Sequence, residues 1–174
     1  MQSVRTSWWL IALRGLIAVI FGTLALAWPT ETATAVVLFI AIFVILDGVL
    51  SLVAAVRARQ PTWGFGVFEG VLGLLVGILA LAWPQATAMI IAVLVGVWAL
   101  LTGILELAAA IRLRRELRSV WLLGIAGAVS VIFGIAILAS PSAGVVVLTA
   151  LVGIYAILFG LAIIFYGAVI RRLT

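Results

Sequence analysis

The chain has 174 residues, of which 68% are hydrophobic and 9% charged, too little polar surface for a water-soluble domain. All ten basic residues are arginines, five acids leave a net charge of +5, and neither cysteine nor histidine occurs. Disulfides, thiol chemistry and imidazole ligands or bases are thereby excluded. The arginines sit at the edges of apolar runs, where membrane topology accounts for them and nucleic-acid binding does not.

The first apolar run extends from Trp8 to Trp28, interrupted only by Arg14. Its length of roughly 31 Å as a helix matches a bilayer's hydrocarbon core. A secretory signal peptide would also place an apolar core after Arg5. The pattern recurs at Trp63 to Trp83 and Trp121 to Ser140, however, where no signal peptide can lie, so the first copy reads as a retained helix. GTLALAWP ends at Pro29, GILALAWP at Pro84 and GIAILASP at Pro141, giving a unit of 55 to 57 residues written three times. The copies cover about 8–59, 63–115 and 121–172 of a single membrane domain spanning 1–174.

After each proline a second apolar segment returns, about Ala33 to Val56, Ala86 to Ile111 and Gly144 to Ile170. Proline suits the first position of a helix, where its missing N–H costs nothing, so it can start the return helix after a very short turn. The reading is an all-α integral membrane fold of six transmembrane helices, arranged as three tandem helical hairpins. Each unit crosses twice, so the three have one orientation, and a pseudo-threefold axis along the membrane normal is expected.

Arginine placement orients the spans. Arg5 precedes the first helix, Arg57 and Arg59 lie between the second and third, Arg112, Arg114, Arg115 and Arg118 between the fourth and fifth, and Arg171 and Arg172 near the end. The proline turns contain none. The positive-inside rule puts both termini and the arginine-bearing loops on the cytoplasmic side, and the proline turns on the other. Trp8, Trp9, Trp63 and Trp121 then mark one interface and Trp28 and Trp83 the other.

Small residues repeat seven apart in every span: Gly15 and Gly22, Ala41 and Gly48, Gly70 and Gly77, Gly96 and Gly103, Gly127 and Gly134, Gly153 and Gly160. Seven residues are close to two helical turns, so each pair makes a stripe on one face. Between helices in lipid such stripes permit close approach, with left-handed crossing near about +20°. The stripes are expected to join the helices of each hairpin: first with second, third with fourth, fifth with sixth.

Four ionisable residues fall inside the spans: Arg14, Asp47, Glu69 and Glu106. Each needs a partner, water or a route to the interface, since a charge at the bilayer centre costs about 2.5–3.5 kcal/mol. Arg14, Glu69 and Ala126 are equivalent by repeat, each directly before a glycine. Asp47 corresponds to Thr102 and Phe159, and Glu106 to Ser51 and Ile163. The plain reading is that Arg14 snorkels to the interface or pairs with Glu69. A sharper reading notes three carboxyls against one arginine, a surplus resisted by keeping at least one protonated, Asp47 first, with Thr102 as a hydrogen-bond partner for Glu106. No catalytic constellation, cofactor motif or metal cluster is written in the chain, so an enzyme is not expected.

The three hairpins with GxLALAWP-type endings, the glycine that follows each and the cytoplasmic arginine pairs resemble the HdeD family of bacterial membrane proteins, built from a short repeat of unknown function. The resemblance covers nearly the whole chain. It implies a six-span inner-membrane protein with a role in acid or envelope stress. It supplies no catalytic or ligand residues. The alternatives are a small transporter or proton-conducting channel using the intramembrane carboxyls, and a scaffold whose RLRREL segment (residues 112–117) binds anionic lipid or a partner protein. Besides the lipid bilayer, no partner or oligomeric state is written in the sequence.

Topology reporters check this orientation. A cytoplasm-dependent reporter should be active when fused after Arg59 or Arg118, and a periplasm-dependent one after Glu31; the reverse pattern would invert the reading.

Overall fold

The structure is a computed structural model that describes residues 7–58, 63–113 and 120–173. Six helices follow one another: α1 (Ser7–Ala27), α2 (Pro29–Ala58), α3 (Trp63–Ala82), α4 (Pro84–Leu113), α5 (Val120–Ala139) and α6 (Pro141–Leu173). There is no strand among the described residues. Five helices are long and apolar enough to cross a membrane, and α1 is apolar over Ala12–Ala27. The even helices reach 30, 30 and 33 residues. At about 1.5 Å per residue they exceed a bilayer core of roughly 30 Å, so they tilt or protrude.

The proline joints are a single residue long, and the return helices begin at the prolines themselves, as expected of a residue suited to the first helical position. Trp28 donates its N–H to the Leu24 carbonyl at 2.8 Å and accepts from the Thr32 N–H at 2.9 Å. Trp83 does the same with Leu79 and Thr87, and Ser140 with Ala136 and Gly144. One residue thus closes the odd helix and caps the even one, and the proline has no N–H to leave unsatisfied. In the first two repeats a threonine hydroxyl reinforces the joint: Thr32 Oγ1 donates to Leu24 O at 3.3 Å and Thr87 Oγ1 to Trp83 O at 3.0 Å.

The helices fall into two compact units, residues 34–145 and residues 1–33 with 146–174. In the first, α2 runs antiparallel to α3. A Cβ on Gly48 would lie 2.9 Å from the Gly70 carbonyl, and one on Gly70 would lie 2.8 Å from the Gly48 carbonyl. Further along, a Cβ on Gly77 would lie 3.1 Å from the Ala41 carbonyl and one on Gly66 3.0 Å from the Ala55 Cβ. The same relation joins α4 and α5. Gly103 and Gly127 each leave 2.8 Å between a would-be Cβ and the other's carbonyl, and Gly134 leaves 2.7 Å to the Gly96 carbonyl. The Ile137 side chain fills the space that Gly96 and Gly144 leave open. In the second unit α1 and α6 pair in this way, with Gly15 against Gly160 and Gly22 against Gly153.

This differs from packing within each hairpin. Each glycine stripe meets the helix of the neighbouring repeat, α2 with α3 and α4 with α5, and α6 pairs with α1. Within the second hairpin α3 and α4 meet only briefly, whereas α4 follows α5 along much of its length. Ala80 and Ala88 come together beside Pro84, in a small cluster with Val37 and Ala41 of α2. The core is correspondingly small in residue size. Ala25, Ala41 and Ala92 are at most 1% exposed, and no large side chain among the described residues is fully buried. Apart from Ile137, most of the leucine, isoleucine and phenylalanine side chains among the described residues face outward or are only partly covered, as expected where lipid is as good a solvent for them as protein.

Gly134→Ala should cost about 1–3 kcal/mol, because its Cβ would meet the Gly96 carbonyl and the Leu100 N–H, backbone atoms that cannot yield cheaply. Gly64→Ala meets nothing within 4 Å and should be neutral or up to about 1 kcal/mol stabilising. Thermal unfolding in detergent reads the difference; equal midpoints would show that Gly134 is not in a packed crossing.

Candidate functional site

The polar residues inside the spans are placed by the glycine crossings. Successive residues of a helix are turned by about 100°, so in an antiparallel pair the residues just before the two touching glycines project to the same side. The residues three positions after those glycines project to that side as well. Three equivalent sites result, each decorated differently. Beside the Gly48 and Gly70 crossing stand Asp47 and Ser51 of α2 and Glu69 of α3. Beside Gly103 and Gly127 stand Thr102 and Glu106 of α4 with Ala126 and Ser130 of α5. Beside Gly160 and Gly15 stand Phe159 and Ile163 of α6 with Arg14 of α1. Ser130 escapes a sequence reading that follows charge alone, and its register relative to Gly127 is the signal that finds it.

Asp47 and Glu69 therefore flank one crossing from opposite helices, and both are exposed along the helix surface. Arg14 is also exposed, and its neighbour Phe159 stacks on Tyr155 with ring centroids 5.8 Å apart. Arg14 lies in one unit and Glu69 in the other. Glu106 differs from these three. It is partly buried, and its Oε2 is buried without a hydrogen-bond partner. Thr102 does not serve it. The Thr102 hydroxyl turns back on its own helix, donating to the Trp98 carbonyl at 2.8 Å and lying 3.2 Å from the Ala99 carbonyl. This corrects the expected Thr102 to Glu106 hydrogen bond: in a helix embedded in lipid, a threonine's nearest acceptors are the carbonyls of the preceding turn.

Among the described residues, no three His, Cys, Asp or Glu gather to hold a metal ion. A cleft of about 260 Å³ opens between α2, α3 and α4, lined among others by Ile40, Val44, Val76, Thr87 and Ile90. None of the four intramembrane charges lines it, and its one hydroxyl, on Thr87, is already bonded to Trp83. Arg57 and Arg112 lie in the last turns of α2 and α4 and are exposed. Arg5, Arg59, Arg114, Arg115 and Arg118, and the side chains of Arg171, Arg172 and Trp8, lie outside the described residues.

Long apolar helices, single-residue proline joints and a repeated glycine crossing define a multi-pass, all-α membrane protein built from an internal repeat. The chain belongs to the DUF308 family, a short repeat of unknown function, whose model matches residues 13–68, 68–139 and 125–174. No curated protein and no solved structure matches the chain.

Proposed function

We propose that this protein is a non-enzymatic component of the bacterial inner membrane, with both termini cytoplasmic, that serves acid or envelope stress resistance as its resemblance to HdeD implies. The observation that carries this reading is the set of carboxyls held within apolar spans beside equivalent glycine crossings. Asp47 and Glu69 share one side of the α2·α3 pair, and Glu106 is drawn into α4·α5. Groups of this kind gain or lose charge with proton activity, and charge inside a bilayer is costly enough to move an equilibrium. The membrane-spanning repeat is then the responsive element, and no bound cofactor or catalytic step is needed.

A second reading is favoured by the shared side of Asp47 and Glu69: two carboxyls on facing helices are also what a small transporter or proton-conducting channel would use. The exposed Arg57 and Arg112 support a further contribution, the attraction of anionic lipid to the cytoplasmic surface.

A deletion strain challenged with acid, osmotic and envelope stress tests the proposal. Acid survival should fall and be restored by the parent gene, but only in part by the Asp47→Asn, Glu69→Gln variant. A deletion strain indistinguishable from its parent under all three stresses would contradict the role. Proton leak from sealed vesicles separates the second reading, since a conducting protein raises the leak and a non-conducting one leaves it unchanged.

A further inference from the structure

Glu106 is the intramembrane carboxyl that the structure draws into a helix contact. It stands three residues beyond Gly103, so its stem lies over the α4·α5 crossing, and a Cβ on Gly127 would come within 3.0 Å of the Glu106 Cβ. Its Oε2 is buried and receives no hydrogen bond. The facing helix offers no remedy, because α5 carries no charged or titratable residue between Val120 and Ala139. α3, the other helix that meets α4, has Glu69 as its one titratable group, another acid. The remaining charged groups on the described helices of this unit are Asp47 and Arg57 of α2 and Arg112 of α4, and none supplies Oε2 with a partner. Arg112 is six residues on, roughly 9 Å along the helix axis.

A bare carboxylate in that position has lost water on one oxygen and gained neither a donor nor a cation in exchange. A proton on the carboxyl removes the charge where it is buried. We propose that Glu106 is a proton-binding site that clamps α4 against α5. With the proton bound, the helices close over the Gly103 and Gly127 crossing. When the proton leaves to water at the nearer membrane interface, the carboxylate turns toward that interface and the pair loosens. The clamp belongs to one repeat only, since Ser51 and Ile163 hold the equivalent positions on α2 and α6 and neither titrates. This goes beyond the stress role and does not require it, because the purified protein suffices for the test.

The chain has no native cysteine, so a disulfide reporter is clean. Ala110→Cys with Gly124→Cys places two Cβ atoms about 3.7 Å apart across α4·α5, within disulfide range. Cross-linking yield is followed in proteoliposomes from about pH 4 to pH 9, with and without Glu106→Gln. The ratio of the two cancels the pH dependence of thiol oxidation. The yield with Glu106 should equal that with glutamine at acid pH and fall several-fold below it at alkaline pH. Glu106→Ala, which also removes the titrating group, should likewise lack the alkaline fall. A reference pair on α2·α3, Ala55→Cys with Gly66→Cys, should be indifferent to residue 106. A constant ratio across the range, a fall shared by both substituted proteins, or an effect of residue 106 on the reference pair would overturn the proposal. If neither substituted protein accumulates, cross-linking is followed alongside the protonated-carboxyl infrared band of the chain that keeps Glu106. Cross-linking that persists after that band is lost would overturn the proposal; cross-linking that falls with it supports the clamp.

Discussion

In the hydrocarbon of a membrane an aliphatic side chain gains little by leaving lipid for protein, so helices are held together chiefly by how closely their backbones approach. The α2·α3, α4·α5 and α1·α6 pairings obey that constraint through glycine. At Gly48 and Gly70, Gly103 and Gly127, and Gly15 and Gly160, a single added methyl group would collide with backbone on the facing helix. The remaining features follow. The most deeply buried residues are small, most bulky ones face outward, and the position of each intramembrane charge is set by its register relative to a crossing glycine.

The same crossing built three times gives three sites of the same geometry and different chemistry. One has carboxyls on both helices, one a threonine and a partly buried glutamate, one an arginine beside an aromatic residue. Repetition therefore supplies a scaffold on which charge can be varied position by position without disturbing the contact beneath it. The asymmetry matters for Glu106 above all. Its counterparts are serine and isoleucine, so any response that depends on its charge is confined to one of the three pairings.

Much of the fold was legible in the sequence. The six helices, their junctions at Pro29, Pro84 and Pro141 and the small-residue stripes all follow from composition, spacing and the backbone chemistry of proline and glycine. Which helix receives which stripe was not legible. In a water-soluble protein the apolar face of a helix points to its partner, but here all faces are apolar, so a stripe such as Gly96 and Gly103 defines a contact surface without saying whether α3 or α5 lies against it. Short connections suggest sequence neighbours within a hairpin, and the α3–α4 joint does bring Ala80 to Ala88, but only beside the proline. The partial burial of Glu106 was hidden for the same reason. Depth along the helix singles out Asp47, whereas burial singles out Glu106, and burial depends on which helix lies across from Gly103.

The central claim is that the stripes join helices of successive repeats, and disulfide trapping from one shared position tests it most directly. Gly66→Cys on α3 is combined in turn with Ala55→Cys on α2 and with Ala99→Cys on the small-residue stripe of α4. Pairing between repeats predicts rapid cross-linking of the first combination, whose Cβ atoms would stand about 3.0 Å apart, and little or none of the second. Efficient cross-linking to residue 99 with none to residue 55 would contradict the account and return the stripes to the interior of each hairpin.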